Sequence, residues 1–374
     1  MDNKLFPNSA ATAANLPLPA LVIPDVHHRT EWAEALIATV GADCASIIFT
    51  GDYFDYAGDT PEDTRRTALW LRESLRDPRR VHLLGNHDVA YFAHGWQTRD
   101  WSGWTKSKHE AFLKVFPPEE FPSLPLHLAA TAGPWFLSHA GVAGGRHSEF
   151  NGYPAEVLLH WAAVARRDLQ AHMKKRTVPP QLLGVGMSRG GDQAIGGLLW
   201  CDFDMDFVPR YGVHQLCGHT PERLRGQLLL RSGVVRNAKL LELTQDAADR
   251  LKNPAVLSQN WCLDTRGHSF AKIYPTHLHL NWDNYCRDVP APAVVSPLWP
   301  LLTAFNLVPD LTDEPPMRVD WGKVQERFED TPAWSPLLRA LKLAGHPKTP
   351  PTAPQFERVL STLVKKGVLP AAGA

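Results

Sequence analysis

The sequence predicts an α/β fold built on a mainly parallel sheet, and three observations predict it. Five short apolar runs each end in a polar cluster. Leu21-Val22-Ile23 precedes Asp25-Val26-His27, and Ile47-Ile48-Phe49 precedes Gly51-Asp52-Tyr53-Phe54-Asp55. Val81-His82-Leu83-Leu84 precedes Gly85-Asn86-His87-Asp88, and Trp135-Phe136-Leu137 precedes Ser138-His139-Ala140-Gly141. His214-Gln215-Leu216-Cys217 precedes Gly218-His219-Thr220. Such runs bounded by Gly, Asp and Asn read as buried strands feeding loops. Helical periodicity separates the first three runs, the βαβ logic of a parallel sheet. The polar clusters all sit at carboxyl ends, the edge where open α/β sheets build their sites.

The elements follow in order. Residues 1–17 read as a loose leader, and the sheet begins near Leu18. Thr30 is expected to cap a helix through Trp32, Leu36 and Ile37, with Gly41 beyond its end. Thr60-Pro61-Glu62 opens a second helix, its Ala68, Leu71 and Leu75 at helical spacing, stopped by Asp77-Pro78. Residues 91–133 read as an insert rich in Trp, His and Pro, with Trp96, Trp101 and Trp104 packing it. Pro154 opens a third helix with Leu158, Trp161, Ala165 and Leu169 on one stripe, ending at Lys174-Lys175-Arg176, where positive charge suits the helix dipole. The Gly-rich run 184–197 reads as a loop without a Gly-Lys-Ser/Thr element. The main unit is therefore expected over 18–285. Residues 286–374 form a Pro-rich linker and a helical C-terminal region, with amphipathic stretches at 319–328, 335–343 and 354–366.

Composition narrows the class. Lys+Arg 39 balances Asp+Glu 39 in 374 residues, which argues against a dedicated nucleic-acid surface. The five cysteines are odd in number, scattered and without a CxxC pair, so neither a disulfide framework nor a thiolate site is expected and a reducing compartment fits. Nothing approaches the ~20 apolar residues of a membrane span, and the amino-terminal stretch lacks a continuous apolar core. A cytoplasmic protein is expected.

The order D-x-H, G-D-x-x-D, G-N-H-D, H, G-H resembles the calcineurin-like metallophosphoesterase superfamily over roughly residues 18–280. Leu198-Leu199-Trp200-Cys201-Asp202 is similar to a Leu-Leu-Trp-Ser-Asp stretch of Ser/Thr phosphoprotein phosphatases. Leu263-Asp264-Thr265 is similar to a Leu-Asp-Thr-Gly strand of phage and bacterial members. The resemblance implies a β-sandwich of mixed sheets flanked by helices, here with a C-terminal helical appendage. It also implies two divalent cations, Mn2+ first, with Fe, Zn, Co and Ni suiting the same O/N donors. Asp25, His27 and a bridging Asp52 would hold one ion, and Asp52, Asn86, His139 and His219 the other. A metal-bridging hydroxide would attack phosphorus. His87, oriented by Asp55 through an expected hydrogen bond, would protonate the leaving group.

Four departures stand out. Tyr56-Ala57 replaces the Arg-Gly that usually clamps phosphate, leaving Arg29 and Arg210 as candidate clamps. Pro24 and His28 replace glycines flanking the first motif, and Pro221 replaces a further histidine ligand. His268 follows the Asp264 motif and is a candidate for that ligand or for phosphate binding. The leading reading is a phosphomonoesterase resembling Ser/Thr protein phosphatases. The alternative is a phosphohydrolase or phosphodiesterase acting on diadenosine polyphosphates, cyclic phosphates or RNA ends, since aromatics of the insert could stack a base. A non-catalytic scaffold is a third reading. The partner is thus a phosphoprotein, small phosphoester or nucleotide, with no membrane involved and the oligomeric state open. His82 reads as a core histidine, His277 and His279 as a His-x-His pair without the carboxylate neighbours a metal site needs, and Asp202, Asp204 and Asp206 as a solvated loop with Asp202 supporting the site.

Overall fold

The computed structural model describes residues 13–92, 102–144, 155–175, 180–210, 213–221, 225–230, 233–239, 256–266, 269–283 and 285–292. Trp96, Trp101, His268 and the three C-terminal amphipathic stretches lie outside the described residues.

Two mixed sheets form the centre. The amino-terminal half contributes β1 (Ala20–Ile23), β2 (Ser46–Phe49), β3 (Arg80–Leu83), β4 (Leu126–His127), β5 (Ala129–Ala132) and β6 (Trp135–Ser138). β7 (His214–Cys217), β8 (Arg225–Leu230), β9 (Gly233–Lys239) and β10 (Val256–Cys262) follow, then β11 (Ser269–Ile273), β12 (His277–Trp282) and β13 (Tyr285–Pro290). The helices are α1 (Thr30–Thr39), α2 (Pro61–Ser74), α3 (Asn86–Phe92), α4 (Lys106–Leu113), α5 (Ala155–Lys175) and α6 (Pro180–Leu183).

The first sheet runs β13-β12-β11-β1-β2-β3-β4 and the second β5-β6-β7-β10-β8-β9. β1 through β4 are parallel, as the βαβ pattern predicts. β11 to β13 extend the sheet antiparallel, so it is mixed rather than parallel throughout. In the second sheet β6, β7 and β10 are parallel while β5, β8 and β9 are antiparallel to their neighbours. The stretch expected as an insert ends by supplying β4 to one sheet and β5 to the other. β13 carries the first sheet across the expected boundary at 285.

Side chains alternate across β1, as the two-residue strand period requires. Leu21 and Ile23 join Ala33, Leu36, Ile37, Ala68 and Leu71 of α1 and α2. Ala20 and Val22 face the other way, joining Trp135, Leu137, Leu216 and Trp261 of the second sheet. On α5 the expected stripe Leu158, Trp161, Ala165 and Leu169 is buried. Closing apolar faces on both sides of β1 holds the strand rigidly, and its carboxyl end is where the site begins.

α2 starts as the sequence predicts. Thr60 accepts from Asp63 N, and the Asp63 carboxylate accepts from Thr60 N, a reciprocal capping box behind Pro61. α1 does not. Arg29, not Thr30, occupies the cap position, and no side chain caps it. The Arg29 guanidinium instead donates to the carbonyls of Val26 and Asp25, which fixes the entry to the helix by another route. The end of the leader is anchored: Leu16 N donates to Thr131 O and Thr131 N to Ala13 O, both at 2.8 Å.

Candidate active site

The polar clusters at the ends of β1, β2, β3, β6 and β7 meet at one edge of the two sheets. Ligand atoms of Asp25, His27 and Asp52 lie within 4.8 Å of one another, and so do those of Asp52, His139 and His219. Asp52 belongs to both groups, the placement a bridging carboxylate requires. Asn86 Oδ1 lies 2.8 Å from His139 Nε2 and 2.9 Å from His219 Nδ1. His139 Nε2 is 3.4 Å from Asp52 Oδ2 and 3.2 Å from His219 Nδ1. Donors bound at ~2.0–2.2 Å to one tetrahedral ion stand about 3–3.5 Å apart, so these separations fit a common cation with little rearrangement.

The route to this geometry differs from the strand argument at one point. β1 ends at Ile23, and His27 sits in a turn with φ 42° rather than on extended backbone. Its backbone N–H and that of Val26 both donate to Asp52 O, so hydrogen bonding rather than strand alternation brings Asp25 and His27 to the same side as Asp52. His28 takes φ 65° where glycine would be at ease. Its ring offsets that strain by donating through Nε2 to Asp59 Oδ2 at 2.8 Å, while Nδ1 meets Thr67 Oγ1 at 2.7 Å.

The electrostatics call for positive charge. Burial, with Asp264 and Asp52 nearby, pushes Asp25 well above the carboxylate range, and burial lifts Asp52 to about 8. The histidines move the other way: burial lowers His139 to about 3 and His27 to about 4, and pulls His219 well below its usual value. His139 Nδ1–H donates to Thr50 O and His27 Nδ1–H to Phe54 O, each at 3.0 Å, leaving both Nε2 lone pairs towards the cluster. His219 Nε2 is buried without a hydrogen-bond partner. Crowded carboxylates, neutral imidazoles and an amide oxygen fit divalent cations with O/N preference.

His87 Nδ1 lies 3.0 Å from Asp55 Oδ2, so the expected hydrogen bond is present. Its backbone N–H donates to Asp52 Oδ1, tying the dyad to the carboxylate the two groups share. Burial alone would lower the His87 pKa, but Asp52 and the bonded Asp55 outweigh it and raise it to about 9.

Arg29 reaches the cluster: Nη2 donates to Asp25 O at 2.5 Å, and Nη1 is buried without a partner. Arg210 is buried, its stem packed against the backbone at Gly144. His82 is a core residue, stacked on Phe49 at 4.5 Å. His277 stacks on Tyr274 and His279 pairs with Asp288, so the two do not share a centre.

Two residues beside the cluster carry roles that the sequence does not announce. Asp88 closes the G-N-H-D motif, where nothing contiguous in the sequence assigns it a role. Its carboxylate accepts the backbone N–H groups of Asp52, Tyr53 and Gly85, each at 2.8 Å, locking the β2 and β3 loops together. Arg189 lies in the Gly-rich run 184–197. Its Nη2 pairs with Asp202 Oδ2 at 2.9 Å and donates to Thr220 Oγ1 at 3.3 Å, with Nε buried and unpartnered. Its charge is felt at His139 and His219. The available signal was Asp202, a carboxylate in a conspicuous motif that needed a cation.

Calcineurin-like phosphoesterase is the family whose profile matches, over residues 18–223, more than half of the chain. Similar solved structures include a metallophosphoesterase from Sphaerobacter thermophilus, with 13% identity, 78% of this chain and 95% of that one covered, and TM-score 0.31. A putative diadenosine tetraphosphatase gives 14%, 75%, 99% and 0.30 for the same measures. A protein serine/threonine phosphatase from Saccharomyces cerevisiae gives 12%, 78%, 87% and 0.33. No curated protein matches the sequence. With the profile spanning every strand that carries the cluster, from β1 to β7, the chain belongs to the calcineurin-like phosphoesterase family, whose members are metal-dependent phosphoric ester hydrolases.

Proposed function

We propose that the protein hydrolyses phosphomonoesters, in the manner of a Ser/Thr protein phosphatase, with two divalent cations of which Mn2+ is the first choice. Asp25, His27 and Asp52 would hold one ion, and Asp52, Asn86, His139 and His219 the other. The observation that carries this reading is Asp52: it stands in both donor groups and also accepts the His87 backbone N–H. When bound, the cations supply Lewis acidity to the phosphoryl group and acidify the attacking water.

The chain's own residues supply the rest. Arg29 and Arg189 flank the cluster from the Asp25 and His219 sides, each with one buried donor unused. Two guanidinium groups suit the dianionic, oxygen-rich head of a monoester. His87 carries the proton for the leaving oxygen on Nε2, while Nδ1–H stays on Asp55. The Asp55 bond keeps the ring oriented, with Nε2 left to face the leaving oxygen.

The test is a substrate panel with Mn2+: p-nitrophenyl phosphate, bis-p-nitrophenyl phosphate, a phosphoserine peptide and diadenosine tetraphosphate. Higher kcat/KM on the monoesters supports the proposal. Preference for the dinucleotide or the diester by orders of magnitude replaces it with the nucleotide or phosphodiester reading. No turnover of any substrate leaves a binding scaffold.

A further inference from the structure

The groups packed on Asp55 include one short segment far from it in sequence. Lys108, on α4, is buried, with 5% of its side chain exposed. Its ammonium contacts Gly103 O at 2.6 Å, Asp55 Oδ1 at 3.4 Å and Asp59 Oδ1, using all three N–H donors. Tyr91 donates to the same Asp55 Oδ1 at 2.6 Å. With Oδ1 occupied twice, Oδ2 is the oxygen that meets His87. Gly103 closes the other side. It has φ +85°, and a Cβ there would lie 2.7 Å from Asp55 Cβ, so its backbone rests on the Asp55 side chain.

A buried ammonium persists where carboxylates pair it. Asp59 is the second such partner, and it is held in turn by His28. Taking Lys108 away would remove the one cation shared by Asp55 and Asp59, leaving Tyr91 alone on Asp55 Oδ1 and the two carboxylates facing each other unscreened.

We propose that the Gly103–Lys108 segment is a positioning device for proton donation: it fixes the Asp55 carboxylate so that His87 presents its Nε2 proton to the leaving oxygen. The inference rests on the phosphomonoesterase reading. In the step it serves, the Nε2–H bond breaks and the proton passes to the leaving oxygen. That oxygen keeps the electron pair of its broken bond to phosphorus. Lys108 touches neither substrate nor proton; it acts through Asp55. The region read as a Trp-rich insert thereby gains a task in turnover besides packing.

Leaving-group dependence separates this role from a merely structural one. An activated leaving group departs without a proton, whereas a basic one needs it. The full chain with Mn2+ is assayed on 2,4-dinitrophenyl, p-nitrophenyl and phenyl phosphate. Lys108→Met is expected to lower kcat roughly tenfold or more on phenyl phosphate and less than about threefold on 2,4-dinitrophenyl phosphate. Gly103→Ala keeps every charge and should give the same gradient; if Lys108→Met does not fold, it decides alone. His87→Asn is the reference, with the steepest gradient. Metal content, measured by elemental analysis, should equal wild type in all three. Equal loss across the series in Lys108→Met or Gly103→Ala, beside a steep gradient in His87→Asn, overturns the inference and leaves the function standing. A wild-type chain that holds metal but hydrolyses none of the esters overturns both.

Discussion

Asp88→Asn isolates the clamp beneath the site. Asp88 is fully buried and its two oxygens accept three backbone N–H groups, two on Oδ2 and one on Oδ1. An asparagine keeps one acceptor oxygen. In its better orientation that oxygen retains Asp52 N–H and Gly85 N–H, and the new amide NH2 faces Tyr53 N–H, donor against donor. One buried donor left unsatisfied costs about 1–3 kcal/mol. The two surviving bonds also lose their charge assistance, which makes such bonds roughly twice as strong as neutral ones. The sum is about 3 kcal/mol, a fall in Tm of about 5–10 °C for a domain of this size. Asp52 loses its fixed backbone, and loss of such outer support weakens metal binding ~10–100-fold. Thermal unfolding of the metal-free chain and Mn2+ titration by calorimetry read the two effects separately. A variant that melts within about 2 °C of wild type and binds Mn2+ equally well would refute the clamp.

Other expectations follow from single contacts. An alanine at Gly218 would place Cβ 2.0 Å from Asp25 Oδ1, so Gly218→Ala should turn Asp25 away and drop the metal content from two ions towards one by elemental analysis; two retained ions with full activity would contradict this. Arg189→Met removes a guanidinium beside the cluster, and losing its proposed charged hydrogen bond to phosphate, ~1.5–3 kcal/mol, should cut kcat/KM by about 10–100-fold, with Asp202 Oδ2 losing its cation. Burial holds His82 neutral in the fold, lowering its pKa from 6.5 to about 3. Its contribution is therefore complete above pH 6.5 and is lost as pH falls towards 3, because the unfolded chain takes up a proton the fold refuses. Urea midpoints across pH 5–7 should fall more shallowly on acidification in His82→Gln than in wild type; parallel curves would contradict that.

What was legible in the sequence was what is contiguous in it. Each expected ligand sits within a few residues of the apolar run that carries it, so strand and chemistry appear together, as in Ile47–Asp52 and Val81–Asn86. The Thr60 capping box and the α5 stripe are local in the same sense. What stayed hidden depends on meetings at long range. Arg189 becomes significant only when its loop is pinned to Asp202 and Thr220. Lys108 matters because α4 carries it to Asp55, 53 residues away in sequence. Asp88 was visible as a letter, but its role lies in backbone amides contributed by another loop. The apolar-run pattern alone points to parallel strands; the mixed character of both sheets came from the resemblance, and both sheets are mixed. The Thr30 cap failed because a side chain–backbone bond from Arg29 replaced it.

The most direct measurement is anomalous diffraction at the manganese edge on crystals grown with Mn2+. The account predicts two peaks about 3.5–4 Å apart, one between Asp25 and His27, the other among Asn86, His139 and His219, with Asp52 between them. A single peak away from Asp52, or none in a chain that still hydrolyses phosphate esters, would contradict it.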